Sequence, residues 1–299
     1  MLKKAVAILL ALILPAVSLS AMAEDVIINK IAHPENTFAF EEGTPLLEVY
    51  FPAVFGVDAA YVRYGDYSII IDCGGNEWRI FDDMLNKLGV TEVTYAVNSH
   101  PDADHIGGFN QVFKHIACGE FLLGFPEDYE HGDDLRFKVY KDLHAMNIPF
   151  RRVGNGDTIE FGDVQITVYQ RLEEHLPRVN NRSVMLMIQL GERRVFFTGD
   201  IQYDAQALLV ADADKLDLHA DILKYPHHGY RNMMEGFLKM VDPNLVVITG
   251  GTKSVQGNEI LDQFGIKYYY TFGGNLRFAT DGTVWTAERF KSSNNKRYA

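Results

Sequence analysis

Asn98-Ser99-His100-Pro101-Asp102-Ala103-Asp104-His105-Ile106-Gly107-Gly108 carries four metal-ligand side chains within six residues, at positions 100, 102, 104 and 105. It follows the apolar run Val93–Val97, which reads as a buried strand. A tight loop at a strand's end turns closely spaced side chains toward one point. Imidazole and carboxylate together suit zinc, manganese or iron. Gly107-Gly108 then lets the chain re-enter a helix. A lone His-x-Asp would read as a polar surface loop. Four ligands between an apolar strand and a glycine pair read as a metal site.

Two later segments fit the same site. Phe196-Phe197-Thr198-Gly199-Asp200 ends a buried strand on an aspartate, whose two oxygens can each hold one metal. Ile222-Leu223-Lys224-Tyr225-Pro226-His227-His228-Gly229 sets two histidines just past another strand. Around them the chain alternates strands and helices. Leu46–Phe51, Ala59–Tyr64 and Tyr67–Asp72 are three successive strands, and Trp78–Leu88 has helical spacing. Asp133–Met146 is a second amphipathic helix. Strands follow near Thr158–Phe161, Val164–Tyr169, Ser183–Leu190, Arg194–Thr198 and Ile222–Lys224. Further strands lie at Leu245–Ile248, Lys267–Tyr270 and Thr283–Ala287, with helices near Met233–Met240 and Glu259–Phe264. Strand runs in both halves predict an α+β fold: two sheets packed together, helices outside, in one domain over residues 24–299.

Residues 1–23 read as an address. Lys3 and Lys4 precede the apolar run Ala5–Val17, and Ala21-Met22-Ala23 is an A-x-A cleavage site. The run is shorter than the roughly 20 residues of a membrane span. A Sec-type signal peptide, export and a mature chain without a stable span are therefore expected. The 299 residues carry 28 Lys+Arg against 40 Asp+Glu, a formal charge of −12. That balance argues against a non-specific grip on nucleic acid. Two bound divalent ions would invert the sign of the field locally, so a phosphate substrate stays compatible with it. Cys73 and Cys118 are too few for a disulfide scaffold, and spacing leaves open whether they pair.

Asn98–Gly108, Thr198-Gly199-Asp200 and Lys224–Gly229, in this order, resemble the metallo-β-lactamase fold superfamily of metal-dependent hydrolases. Within it the chain is most similar to the exported domain of the ComEC/Rec2 competence proteins, which write the first motif H-x-D-x-D-H. Phe55–Ala59 with Ile69–Gly74, and Ile148–Arg152 running into Gly156-Asp157, agree with that branch. The resemblance spans about residues 45–290. It implies a four-layer αββα sandwich holding two divalent ions, zinc or manganese. His100 and Asp102 would bind the first metal, and Asp104 and His105 the second. Asp200 would bridge, and His227, chosen over His228 by its distance from Asp221, would complete the second. His228 would then face the substrate as phosphate ligand or proton donor. Asp104 would also orient the attacking water, and Asp72 would steady the metal loop.

Most relatives supply a third histidine to the first metal just before the strand that here begins at Ser183. This chain has Val179-Asn180-Asn181-Arg182, and Asn180 or Asn181 offers a weak carbonyl ligand instead; His175 falls too early. Tyr230 and Arg231 stand where the competence branch has small polar residues, and Arg231 would stabilise charge on a leaving phosphate. The expected activity is phosphodiester or phosphomonoester hydrolysis of a small-molecule or phosphate-ester substrate outside the cytoplasm. A β-lactamase shares the fold but relies on a histidine-rich first site. A phosphorylcholine or cell-wall esterase would need an aromatic cage, for which Tyr225, Tyr230 and Tyr268-Tyr269-Tyr270 are candidates. A metal-stabilised binding module is the non-enzyme alternative. The oligomeric state is not readable from the sequence.

Overall fold

The computed structural model describes residues 26–28, 39–128, 135–173, 176, 178–250 and 257–292. Residues 1–23 (expected to be a signal peptide), His175 and the stretch 251–256 lie outside them.

Two mixed sheets account for the strands. The first has nine, in the spatial order Val26–Ile28, Trp285–Phe290, Asn275–Thr280, Leu47–Phe51, Ala59–Tyr64, Tyr67–Cys73, Glu92–Asn98, Ala117–Leu123 and Phe150–Arg152. The second has seven: Lys267–Tyr270, Leu245–Ile248, Ile222–Lys224, Arg193–Phe197, Met185–Leu190, Gln165–Tyr169 and Thr158–Ile159. Alternation explains how they pack. Leu47, Val49 and Phe51 of the first sheet meet Ile166, Val168, Leu186, Ile188 and Phe197 of the second in one buried cluster. Phe51 and Phe197 stack across it with ring centroids 5.5 Å apart.

The opposite faces are covered by helices. Phe81 and Leu85 of Trp78–Lys87, and Val139 and Leu143 of Leu135–Ala145, pack with Ile70, Ala96 and Phe121 on the first sheet. Leu209 of Tyr203–Ala211, Phe237 and Leu238 of Glu235–Val241, and Leu261 of Asn258–Phe264 cover Phe196, Leu223 and Val246 on the second. Helices, sheet, sheet, helices: the α+β, four-layer expectation is met. Among the described residues no helix is long and apolar enough to cross a membrane. Cys73 and Cys118 are free thiols, Cys73 fully buried.

This architecture decides where chemistry can sit. The strands ending at Cys73, Asn98, Phe197, Lys224 and Ile248 belong to runs of parallel pairs in the two sheets. Parallel strands end together, so the loops that follow them converge at the carboxyl edge. Asp72, the His100–His105 loop, Asp200, His228 and Thr249 all lie at these ends.

Candidate metal centre

The metal loop leaves strand Glu92–Asn98 and turns at once into the short helix Ala103–Ile106. His100 and His105 are fully buried, whereas Asp102 and Asp104 are partly open. Gly108 permits the turn by close approach and not by unusual dihedrals. A Cβ there would stand 1.8 Å from the Cys73 carbonyl. Gly199, at φ +52°, brings Asp200 in; its Cβ would lie 2.7 Å from that of Ser183. The Asp200 N–H then donates to Ser183 Oγ at 3.1 Å.

Donor atoms converge on Asp200. Its Oδ2 lies 3.2 Å from His105 Nε2, 3.3 Å from His228 Nε2 and 4.0 Å from His100 Nε2. His228 Nε2 is also 3.3 Å from Asp104 Oδ2, and His100 Nε2 is 3.4 Å from Asp102 Oδ2. Asp104, His105, Asp200 and His228 each bring a ligand atom within 4.8 Å of the others.

The far side of each buried imidazole is tied down. His105 Nδ1 is 2.8 Å from Asp72 Oδ2. His100 Nδ1 is 3.0 Å from Ser99 Oγ, whose hydroxyl donates to Asp72 Oδ2 at 2.6 Å. His228 Nδ1 is 3.1 Å from Asp58 Oδ1 and 3.0 Å from Thr249 Oγ1, which donates to Asp58 at 2.6 Å. A carboxylate behind Nδ1 keeps the proton there and presents Nε2 as a lone pair, the usual preparation of a metal-binding histidine. Nε2 of His100, His105 and His228 and Oδ1 of Asp200 have no hydrogen bond among the described residues. Such orphaned buried atoms are costly unless something else fills the gap between them. Asp58, Asp72 and Asp200 are all buried here against Lys224, the one buried lysine among the described residues. Surplus carboxylate charge and lone pairs aimed inward fit divalent cations.

The two neighbouring histidines take different places beside Asp200, and it is His228, not the expected His227, whose ring lies among the clustered donors. His227 and His228 adopt left-handed backbone, at φ +51° and +54°, and their rings part. His228 is buried among the converging donors, whereas His227 is 29% exposed and stands 3.8 Å from Asp200. Arg178 donates to Gln202 Oε1 at 2.6 Å, which fixes the Gln202 amide and turns its Nε2 toward His227 Nδ1 at 3.2 Å. An amide N–H at Nδ1 makes Nδ1 the acceptor and leaves the ring proton on Nε2. His227 is thus arranged as a hydrogen-bond donor, its Nε2 on the Asp200 side of the ring.

The asparagines also separate. Asn180 Nδ2 reaches Asp102 Oδ2 at 3.3 Å, beside the first-metal pair. Asn181 turns away: its Oδ1 accepts from the Gln202 N–H at 2.7 Å and its amide faces Asp204 at 3.2 Å. It shapes the loop after Asp200 and offers the centre no carbonyl. Tyr230 lies edge-on to both His227 and His228, with centroids 5.7 and 5.5 Å away. Tyr225 is buried, its hydroxyl bonded to the Met233 N–H and the Arg231 carbonyl. Tyr268 and Tyr270 pack on each other in an edge strand of the second sheet.

Sequence reasoning assigned no role to Asp58, Lys224 or Thr249. Lys224 Nζ pairs with Asp58, donates to the Gly199 carbonyl at 3.0 Å and sits 3.5 Å from Asp200 Oδ1. Burial opposes charge on Lys224, but Asp58 and Asp200 outweigh it and raise its pKa. Burial likewise opposes charge on Asp58, and Lys224 and His228 hold it well below the usual carboxylate range. The available signal was a lone charge in each of two apolar segments, Val57-Asp58-Ala59 and Ile222-Leu223-Lys224.

Two outcomes follow. Asp72→Asn removes the acceptor behind His105 while keeping the shape, and metal affinity is expected to fall about 10- to 100-fold by competition with a chelating dye. The second concerns pH. Burial opposes protonation of His105 and His228, yet Asp200 with Asp72, and Asp200 with Asp58, raise both well above the ordinary 6.5. A raised folded-state pKa contributes stability in full below the ordinary value and loses it as pH climbs through the raised one. Chelator-treated protein should therefore melt at progressively lower temperature as pH rises above 6.5, whereas metal, which replaces those protons, should restore the melting point. A pH-independent melting point after chelation would contradict this arrangement.

A sequence profile described as the metallo-β-lactamase superfamily matches residues 52–250. ComE operon protein 3 of Bacillus subtilis is 23% identical over 201 residues, 61% of this chain and 25% of that protein. Competence protein ComA of Neisseria gonorrhoeae is 28% identical over 220 residues, 69% of this chain and 28% of that one. The chain thus spans about a quarter of the length of these relatives. Among solved structures, the metallo-β-lactamase fold protein YhfI from Bacillus subtilis superposes with a TM-score of 0.51 at 15% identity. That match covers 76% of this chain and 96% of YhfI. CmlA, a diiron β-hydroxylase from Streptomyces venezuelae, also gives 0.51 at 15% identity, covering 79% of this chain and 54% of CmlA.

Proposed function

The chain belongs to the metallo-β-lactamase superfamily, and from that premise we propose that it is an exported hydrolase of phosphate esters that works with two divalent ions. The observation that carries this reading is the donor set. Among the described residues it joins buried Nε2 lone pairs to carboxylates, contains no thiolate, and supplies His100 as the one buried histidine beside Asp102. Carboxylate-rich sites favour the harder ions used in phosphate chemistry, manganese beside zinc. The likeness to competence protein ComA is compatible with the same class.

His100 and Asp102 would hold one ion, Asp104, His105 and His228 the other, with Asp200 between them. Bound there, the ions would polarise the ester and acidify a water. The chain's own residues do the rest. Asp104, partly open at the edge of the cluster, accepts a hydrogen bond from the attacking water and aims it. His227 Nε2–H, held by Gln202, donates to an oxygen of the phosphate or its leaving group. Tyr230 closes the wall behind both histidines.

Metal analysis of the purified protein, with a phosphomonoesterase and phosphodiesterase screen under added manganese and zinc, tests the reading. Turnover of phosphate esters that a chelator abolishes is the expected result. Metal content with lactam hydrolysis alone, with iron-dependent hydroxylation, or with no turnover would overturn it. The placing of the two histidines has its own test. His228→Ala should lower metal content, whereas His227→Ala should keep both ions and lose about 10- to 100-fold in turnover, most for esters of poor leaving groups.

A further inference from the structure

The centre lies between two unlike recesses. One, on the Asp104 side, encloses about 560 Å³ and offers Phe55 and Trp78 as apolar surface, with Glu77 and Asp104 against Lys138. The other, on the His227 side, encloses about 190 Å³ and is lined by Arg178, Gln202, Tyr203, Asp204, His227 and Arg231. We propose that the His227-side recess is a subsite for a second anionic group, so that the substrate carries a phosphate or carboxylate beside its scissile phosphate. This rests on the phosphate-ester reading.

Charge and bonding decide the occupant. Two guanidiniums line a recess whose one carboxylate, Asp204, is already engaged by the Asn181 amide. Arg178 spends one N–H on the neutral Gln202, and no carboxylate pairs with Arg178 or Arg231 among the described residues. The planar fork of a guanidinium matches a phosphate or carboxylate in two parallel hydrogen bonds. The recess adjoins the centre through His227, whose Nε2 stands 3.8 Å from Asp200 Oδ2. An anion seated there is thus one linker away from an ester held over Asp200. The other recess sets Glu77 and Asp104 against Lys138 and offers Phe55 and Trp78, so it has no pair of guanidiniums for such a group and suits a less charged arm. Tyr203, 49% exposed at the rim, gives a linker ring a flat surface.

The test uses two p-nitrophenyl esters of thymidine 5′-phosphate, one with a 3′-phosphate and one without, on metal-loaded protein. The expected result is a kcat/KM about tenfold higher for the 3′-phosphorylated ester, set by charge-assisted bonds to the arginines. In an Arg178→Gln, Arg231→Gln double variant that ratio should fall to about 1. Equal rates on the two esters in the unsubstituted protein, or an unchanged ratio in the variant, would overturn the subsite. Calorimetry with thymidine 3′,5′-bisphosphate and thymidine 5′-phosphate separates this inference from its premise. If neither ester is hydrolysed but the bisphosphate binds about tenfold more tightly through the arginines, the subsite stands and the hydrolytic reading fails. Equal affinities sink the subsite whatever the turnover.

Discussion

Asp200→Ala is expected to leave the protein with at most one tightly bound ion and to lower phosphate-ester hydrolysis at least about 10³-fold. No other residue faces so many donors at once. Its Oδ2 stands between 3.2 and 4.0 Å from ring nitrogens of His100, His105, His227 and His228, which arrive on two different loops. Removing the carboxylate takes away the group that serves both proposed ion positions and leaves the imidazoles facing a gap. Metal content by plasma mass spectrometry and turnover on one chromogenic ester measure the two effects together. Two retained ions with near-normal turnover would refute the bridging role. Loss of turnover with both ions retained would refute it as well, and would point to substrate contact instead.

The second large effect is on stability. Asp58→Ala should destabilise the protein by about 3 kcal/mol in urea unfolding, near the lower end of what breaking a buried ion pair costs. Asp58 is buried at the end of an apolar segment, and it neutralises Lys224 while accepting from Thr249 and backing His228. Without it the Lys224 ammonium keeps only Asp200 Oδ1 at 3.5 Å and the Gly199 carbonyl. That remaining partner is why the loss sits at the low end. Pairing Asp58→Ala with Lys224→Met removes both charges and should recover part of the stability, because an apolar replacement carries no desolvation penalty. A single variant as stable as the original protein, or a double variant worse than the sum of its parts, would show that the pair is not the unit argued here.

Much of this was legible along the chain. Ala59–Tyr64, Ile222–Lys224, Leu245–Ile248 and Lys267–Tyr270 fall where their patterns place them, because each is a short β-branched or aromatic run beside a turn. Ala117–Leu123 and Asn275–Thr280 were not read as strands. The first opens on Ala-Cys-Gly-Glu, half exposed, and only its last three residues look like core. The second, Asn-Leu-Arg-Phe-Ala-Thr, gains its meaning from its neighbours: Arg277 spans to Glu48 and Glu288 on the two strands that flank it. Asp58 and Lys224 were passed over because a single charge in an apolar run looks like an ordinary surface residue until its partner is known.

The fold and a gathering of potential metal ligands could be read from residue spacing along the chain. His100, Asp102, Asp104 and His105 share one loop, so their spacing alone forces them together, and Asp200 ends a strand that must run to the same edge. Which of the two adjacent histidines stands among them depends on how the chain folds. Both sit in left-handed backbone, where a one-residue step throws neighbouring side chains to different sides, and no periodicity predicts which way. The choice is made by groups brought from elsewhere. Thr249 and Asp58, 191 residues apart in sequence, hold Nδ1 of His228 and free its Nε2 for metal. Gln202, clamped by Arg178, donates an amide N–H to Nδ1 of His227, which leaves the ring proton on Nε2 and makes that nitrogen a donor. A histidine's role follows from which nitrogen keeps the proton, and that is set by contacts across space that sequence spacing does not encode.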